Sequence, residues 1–251
     1  MPERFGFLDS SGPIAFAHRG ASPDGRENTL AAVERVVRLG FTYLETDVRV
    51  SRDGVPLLMH DSTLDRTTDK TGAVADLPWS QIARARVAGT EPVPRLDELF
   101  AGFPELKVNL HVKTAAAVGP LAEVVRRANA LDRVCVAAFQ DRFPAAARVA
   151  LGPGLCTGLG TRGVLALKLA SLRGGTVRPI GACAQVPPVL GPVRVIDRQF
   201  VEAAHRSGLA VHAWTINDAV EMRRLLDLGV DGIMSDRAET LLGVLRERDA
   251  A

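Results

Sequence analysis

At 251 residues, 47% of them hydrophobic and 24% charged, the chain is long enough to bury a full core as one domain. Thirty-one Lys and Arg against 29 Asp and Glu leave a net charge of +2, dispersed enough to exclude the electrostatic footprint of a nucleic-acid binder while leaving room for a local anionic ligand. The N-terminal MPERFGFLDSSGPIAFAHRG has no apolar run of signal-peptide length, and no stretch approaches the ~20 apolar residues of a membrane helix, so a cytoplasmic protein without stable membrane insertion is expected.

In chain order, short apolar runs predict strands at about 14–17, 43–49, 107–112, 134–138, 155–159, 180–185, 210–214 and 231–235. Helical patterns such as NTLAAVERVVRLG, GPLAEVVRRANAL, DRQFVEAAHRSG, NDAVEMRRLLDLG and ETLLGVLRER lie between them, with Asn28, Asp197 and Asn217 or Asp218 as expected N-caps. Eight such units in a chain of this length fit a closed α/β barrel, the (β/α)8 TIM barrel, better than the alternative open doubly wound sheet.

The fragment VRVSRDGVPLLMH, with Asp53-Gly54 as its turn, reads as a hairpin that prolongs the second strand and returns to end at His60. The polar, turn-rich stretch 61–95 that follows is a small insertion over the barrel mouth, and VPPVLGP at 186–192 reads as a long loop after the sixth strand.

Chemistry concentrates where strands end. Glu45 and Asp47 are two apart on one strand and so share a face, as do His111 and Lys113. Ionised carboxylates on an inner barrel face need a metal ion, a cationic partner or a wet pocket. Ion pairing with Arg19 or Arg49 is the plain reading of Glu45 and Asp47; ligation of a hard divalent cation is the sharper one. His18-Arg19-Gly20 directly follows the first strand, where a guanidinium fork suits phosphate oxygens and a glycine permits a tight turn. His60, with Asp61 beside it, supplies a second imidazole. Two histidines facing one centre would suit an in-line phosphoryl displacement, one as base and one as acid.

The ordered set His18-Arg19-Gly20, Glu27-Asn28-Thr29, Glu45-x-Asp47, Asp53-Gly54-x-Pro56 with His60-Asp61, Lys113, Trp214-Thr215-x-Asn217, Asp231-Gly232-Ile233 and Ser235-Asp236 resembles the glycerophosphodiester phosphodiesterases along almost the whole chain. The resemblance implies a TIM barrel that hydrolyses a small-molecule glycerophosphodiester to glycerol 3-phosphate and an alcohol. It casts His18 and His60 as the catalytic pair, Glu45 and Asp47 as metal ligands, Arg19 and Lys113 as phosphate contacts, and Trp214 as an apolar wall whose plainer reading is core packing. Glu27 matches a family glutamate near the metal or, as a first-turn helix residue, complements the helix dipole.

The chain departs from the family at His111, where a carboxylate usually stands as third metal ligand. Mg²⁺ or Ca²⁺ is the cofactor that the resemblance implies; an imidazole there shifts preference toward Mn²⁺ or Zn²⁺. Three readings of His111 compete: a ligand for an altered metal, a catalytic or substrate-orienting imidazole, and a crippled site. The rival functions are a phospholipase D-like activity on lysophospholipid or sphingomyelin, which needs an apolar channel, and a non-catalytic phosphodiester-binding barrel. Cys135, Cys156 and Cys183 read as buried reduced thiols, His205 as a solvated surface residue and His212 as structural. Nothing in the sequence marks an oligomeric state.

Overall fold

A computed structural model describes residues 5–250. Eight strands form the wall: β1 Ile14–His18, β2 Tyr43–Val50, β3 Lys107–Val112, β4 Val134–Ala137, β5 Cys156–Thr157, β6 Cys183–Val186, β7 Ala210–Ala213 and β8 Gly232–Ser235. Their spatial order is β5, β4, β3, β2, β1, β8, β7, β6, with every pair parallel. The bridge Gly158↔Cys183 joins the two ends of this path, so the fold is a nearly closed (β/α)8 TIM barrel. Its strands are covered on both faces, which is why β4 and β8 read as continuous apolar runs instead of alternating ones.

The core between wall and helices is built from stripes such as Ala32, Val33 and Val36 of the helix Leu30–Arg38. At the N-terminal end of the barrel, Phe7 in the turn Gly6–Leu8 plugs the opening, with its ring 6.1 Å from Phe16 and 5.4 Å from Tyr43. The Tyr43 hydroxyl donates to the Phe7 carbonyl at 2.8 Å. Among the described residues no helix is long and apolar enough to cross a membrane.

The Asp53-Gly54 turn folds as expected: Pro56–Leu58 returns antiparallel to β2, with Val50 opposite Pro56 and Val48 opposite Leu58. Residues 61–95 contain the one-turn helix Trp79–Ile82 and a two-stranded ribbon, Arg86–Val87 with Glu91–Pro92. They pack on a small cluster of their own that includes Leu64, Val74, Ile82 and Val93.

Four local expectations are corrected. The strand expected at 155–159 is only Cys156–Thr157, and that expected at 180–185 is Cys183–Val186. Gly181 lies against β5 so closely that a Cβ would sit 2.7 Å from the Thr157 carbonyl oxygen. The loop expected at 186–192 contains one strand of a hairpin, Val189–Leu190 paired with Val193–Arg194. The cap of the first long helix is Thr29, which accepts from Ala32 N at 3.2 Å; Asn28 is turned away with φ 59°.

Candidate active site

The site forms at the C-terminal ends of the strands, where the loops of a barrel converge. β1 delivers His18, and the chain then turns through Arg19 and Gly20 at φ 51° and 81°. A Cβ on Gly20 would sit 2.7 Å from that of Ala32, so glycine is what lets this turn approach the helix behind it. The period-2 alternation of β2 places Glu45 and Asp47 on one face, and its register with β3 sets His111 opposite Asp47. The return strand of the hairpin carries the chain to His60.

The two buried carboxylates fare oppositely. Burial alone would raise the pKa of Asp47, but the nearby His111 imidazole and the charges of Lys113 and Arg19 hold it far below the usual range. Lys113 Nζ is 2.7 Å from Asp47 Oδ1, Arg19 Nε is 3.0 Å from Oδ2, and Asn28 donates to Oδ2 at 3.2 Å. Glu45 is pushed up to about 7 by burial and then by Asp47 beside it. Its Oε2 is buried without a hydrogen-bond partner, 3.7 Å from His18 Nε2. Of the two arginines expected as ion-pair partners, Arg19 pairs with Asp47, whereas Arg49 donates to the His60 carbonyl at 2.8 Å.

Each histidine of the expected pair is braced through Nδ1. Asp236 lies 2.6 Å from His18 and is itself held by Asn217 at 2.9 Å. Asp61 lies 2.6 Å from His60 and is gripped by Arg66, whose Nε is 2.6 Å away. For His18, burial works to lower the pKa, but Glu45 and Asp236 overcome it and the net shift is upward. His60 is lowered, chiefly by burial, against the pull of Asp61. Glu27 is not in a first helical turn, because that helix starts at Leu30. It sits 3.1 Å from Arg19 and 2.7 Å from Arg66, tying the two sides of the mouth together.

His111 Nδ1 is 3.7 Å from Asp47 Oδ1, and burial depresses its pKa despite that carboxylate. Above it stands Phe139, its ring edge-on at 5.0 Å and 6.0 Å from the half-buried ring of Trp214. Trp214 therefore stands in the wall of the site as well as against the core. His18, Arg19, Glu45, Asp47, His60, His111, Lys113 and Trp214 all line one cavity of about 450 Å³. Its lining also includes the apolar side chains of Phe139, Leu165, Leu190 and Val193, each at least half exposed.

Sequence reasoning did not assign functions to Asn28, Phe139 or Arg66. Asn28 was visible as the residue after Glu27, but its two bonds, to Asp47 and from Thr46 at 2.7 Å, depend on a left-handed backbone that sequence does not display. Phe139, immediately after a predicted strand, stood where barrel sites gather. Away from the site, His212 is fully buried as expected, and exposed His205 bonds Asp231 at 2.8 Å.

A barrel with two carboxylate-braced histidines, two cations and two carboxylates at its C-terminal mouth has the makings of a phosphodiesterase site. The glycerophosphoryl diester phosphodiesterase family matches residues 18–240, and the chain belongs to this family. It is 36% identical to "Probable glycerophosphodiester phosphodiesterase 2" of Mycobacterium tuberculosis over 96% of this chain and 94% of that one. It is 29% identical to a glycerophosphodiester phosphodiesterase of Caldanaerobacter subterraneus over 93% and 98%. Among solved structures, an Oleispira antarctica phosphodiesterase in complex with the product sn-glycerol 3-phosphate superposes with a TM-score of 0.77 at 24% identity, covering 93% of this chain and 97% of that one. A "Putative glycerophosphoryl diester phosphodiesterase" of Silicibacter pomeroyi gives 0.81 at 23%, covering 98% and 99%.

Proposed function

We propose that this chain hydrolyses glycerophosphodiesters to sn-glycerol 3-phosphate and an alcohol, with His18 and His60 as the acid/base pair. The observation that carries the reading is the pair of imidazoles lining one cavity, each braced at Nδ1 by a carboxylate 2.6 Å away. Such a brace fixes the tautomer and leaves Nε2 to move a proton. One histidine takes the proton from the attacking oxygen, and the other protonates the leaving alkoxide. Arg19 and Lys113 orient the phosphate oxygens, and Trp214 walls the glycerol or the leaving group. The names of the relatives and their length coverage support the same substrate class.

The donor set fits a divalent cation. Asp47 already has cationic partners, whereas Glu45 keeps a buried oxygen with none, the kind of group a cation would satisfy. Glu45, Asp47 and His111 would hold the ion, which would neutralise charge developing on the phosphate. A cytoplasmic setting belongs to the same proposal, supported by three cysteines that are all free.

The test is release of glycerol 3-phosphate from glycerophosphocholine and glycerophosphoethanolamine by metal-stripped protein, with Mg²⁺, Ca²⁺, Mn²⁺ or Zn²⁺ restored singly. Turnover should require an ion, and should fall by at least ~10²-fold in His18→Ala and in His60→Ala. Folded protein that yields no product with any ion would sink the proposal.

The apolar lining favours a second reading, in which the diester carries a single alkyl or acyl chain laid along Phe139, Leu165, Leu190 and Val193. Burial of methylenes there would make kcat/KM for short-chain lysophosphatidylcholine, below its micelle concentration, exceed that for glycerophosphocholine by roughly fourfold per buried carbon. Equal values would leave the first reading standing alone.

A further inference from the structure

The opposite end of the barrel holds a second cluster that phosphodiester chemistry does not use. Cys135 of β4 and Cys156 of β5 are register partners, and Cys183 of β6 bridges to Gly158. Residues two apart on a strand share a face, so all three side chains lie on the same face of the barrel wall. Their sulfurs all lie within 4.8 Å of one another, with Cys135 Sγ and Cys183 Sγ 3.8 Å apart, and each residue is at most 1% exposed. Among the described residues this is the one set of three His, Cys, Asp or Glu donors packed so tightly.

That spacing matches what a thiophilic ion needs. With metal–sulfur bonds of ~2.3 Å, tetrahedral or trigonal geometry places sulfurs about 3.8–4.0 Å apart. A cluster of thiols can be an ordinary apolar core, but the residue beside it does not fit that description. His212 of β7 lies next to Cys183 and is fully buried. Gln185 Nε2 lies 3.3 Å from the His212 Nδ1, while the His212 Nε2 has no partner; turning over the reciprocal Gln185–Asn109 amide pair lets Gln185 Oε1 accept from Nδ1–H and frees the imidazole Nε2 to ligate. An unpaired imidazole nitrogen in an apolar interior is costly, and a fourth ligand position would satisfy it.

We propose that Cys135, Cys156 and Cys183, with His212 as neighbouring fourth donor, form a site for a thiophilic d¹⁰ ion such as Zn²⁺ or Cd²⁺. Burial pushes the Cys135 and Cys156 thiols up, so they stay protonated without metal. Hydrogen bonds from these two pull the Cys183 thiol down, so binding of a divalent ion releases one proton each from Cys135 and Cys156, and one from Cys183 where it is still protonated, as three metal–sulfur bonds form. Its position gives it a purpose, because β5 and β6 are the two ends of the strand path. Beyond the Gly158↔Cys183 bridge, that seam is closed by Ala182 N donating to Thr157 O at 2.7 Å and Leu159 N donating to Cys183 O at 2.8 Å. Cys135 and Cys156 lie on one side of the seam and Cys183 on the other, so the ion staples it. Soft sulfur donors at this end and hard oxygen donors at the mouth would also sort ions by type.

The test refolds the full chain from urea under reductant with one equivalent of Cd²⁺, so that the Phe7 plug is no obstacle to entry, followed by gel filtration. A Glu45→Gln chain is carried in parallel to remove the mouth's open oxygen donor. Both should retain one Cd²⁺ per chain, show an ultraviolet thiolate-to-cadmium band and melt several degrees higher than metal-free protein. In the Glu45→Gln background, Cys183→Ser should retain none and lose the band; His212→Gln should keep the band with weaker retention. Should Cys183→Ser fail to fold, Cys156→Ser makes the same comparison. Protein grown with added zinc is assayed for metal alongside. Folded wild-type protein with no band and no retained metal by either route, or a band that survives loss of a cysteine, overturns the proposal.

Discussion

Asp236 shows how a residue outside the strands can matter as much as one in them. It sits 2.6 Å from His18 Nδ1, while Asn217 fixes its other oxygen and also accepts from the Asp236 backbone N–H at 2.9 Å. Asp236→Asn keeps shape but removes the charge that selects the tautomer and draws the His18 pKa upward. Kinetics should show kcat down ~10–100-fold with KM nearly unchanged. A matching rise in KM would mean that Asp236 positions substrate and not the imidazole. At this scale the sequence was informative about identity and less so about partnership. His18, His60, Glu45, Asp47 and Lys113 announced themselves by strand-end position and period-2 spacing, and the structure brings them together. That Asp47 would collect three cationic or polar partners while Glu45 kept a bare oxygen could not be read there, because it depends on side-chain reach across β1, β2 and β3.

Between elements, the longer apolar strands and the capped helices were legible, since Asp197 and Asp218 cap as expected, accepting from Phe200 N and Glu221 N at 2.8 Å. Two strands, β5 and β6, came out shorter or shifted because glycines at 158, 160 and 181 let backbones approach, a tertiary fact with no periodic signature. One such inter-element link is titratable. Asp231, just before β8, accepts from Val211 N of β7 at 2.7 Å and from His205 of the helix Arg198–Arg206 at 2.8 Å. The hydrogen bond to Asp231 raises the His205 pKa above its ordinary value. A group raised in the folded state adds stability that is complete below the unfolded value of ~6.5 and is lost as pH climbs through the folded one. Chemical denaturation of wild type between about pH 6 and 8 should therefore show a decline that His205→Gln flattens. Parallel curves for the two proteins would mean that the bond contributes nothing to folding.

Across the whole molecule, the two ends of the barrel carry different duties, as (β/α)8 architecture leads one to expect. All eight residues picked out for chemistry lie at the C-terminal mouth, whereas the N-terminal end is closed by Phe7 against Phe16 and Tyr43 and by Lys107, whose Nζ donates to the Gly6 and Asp9 carbonyls at 2.8 Å each. Phe7 is fully buried, so Phe7→Ala opens a cavity beneath the barrel and should cost about 3–5 kcal/mol in denaturant unfolding. For a chain of this size that lowers Tm by on the order of 10 °C. The mouth is held by its own network, Glu27 to Arg19 and Arg66, and Asp61 to His60, with no residue from the plug. Hydrolysis measured well below the lowered Tm should then keep kcat/KM within about twofold of wild type. A fall in kcat/KM at a temperature where circular dichroism shows Phe7→Ala fully folded would mean instead that the plug sets the spacing of β1 and β2, and through them the distance between His18 and Glu45.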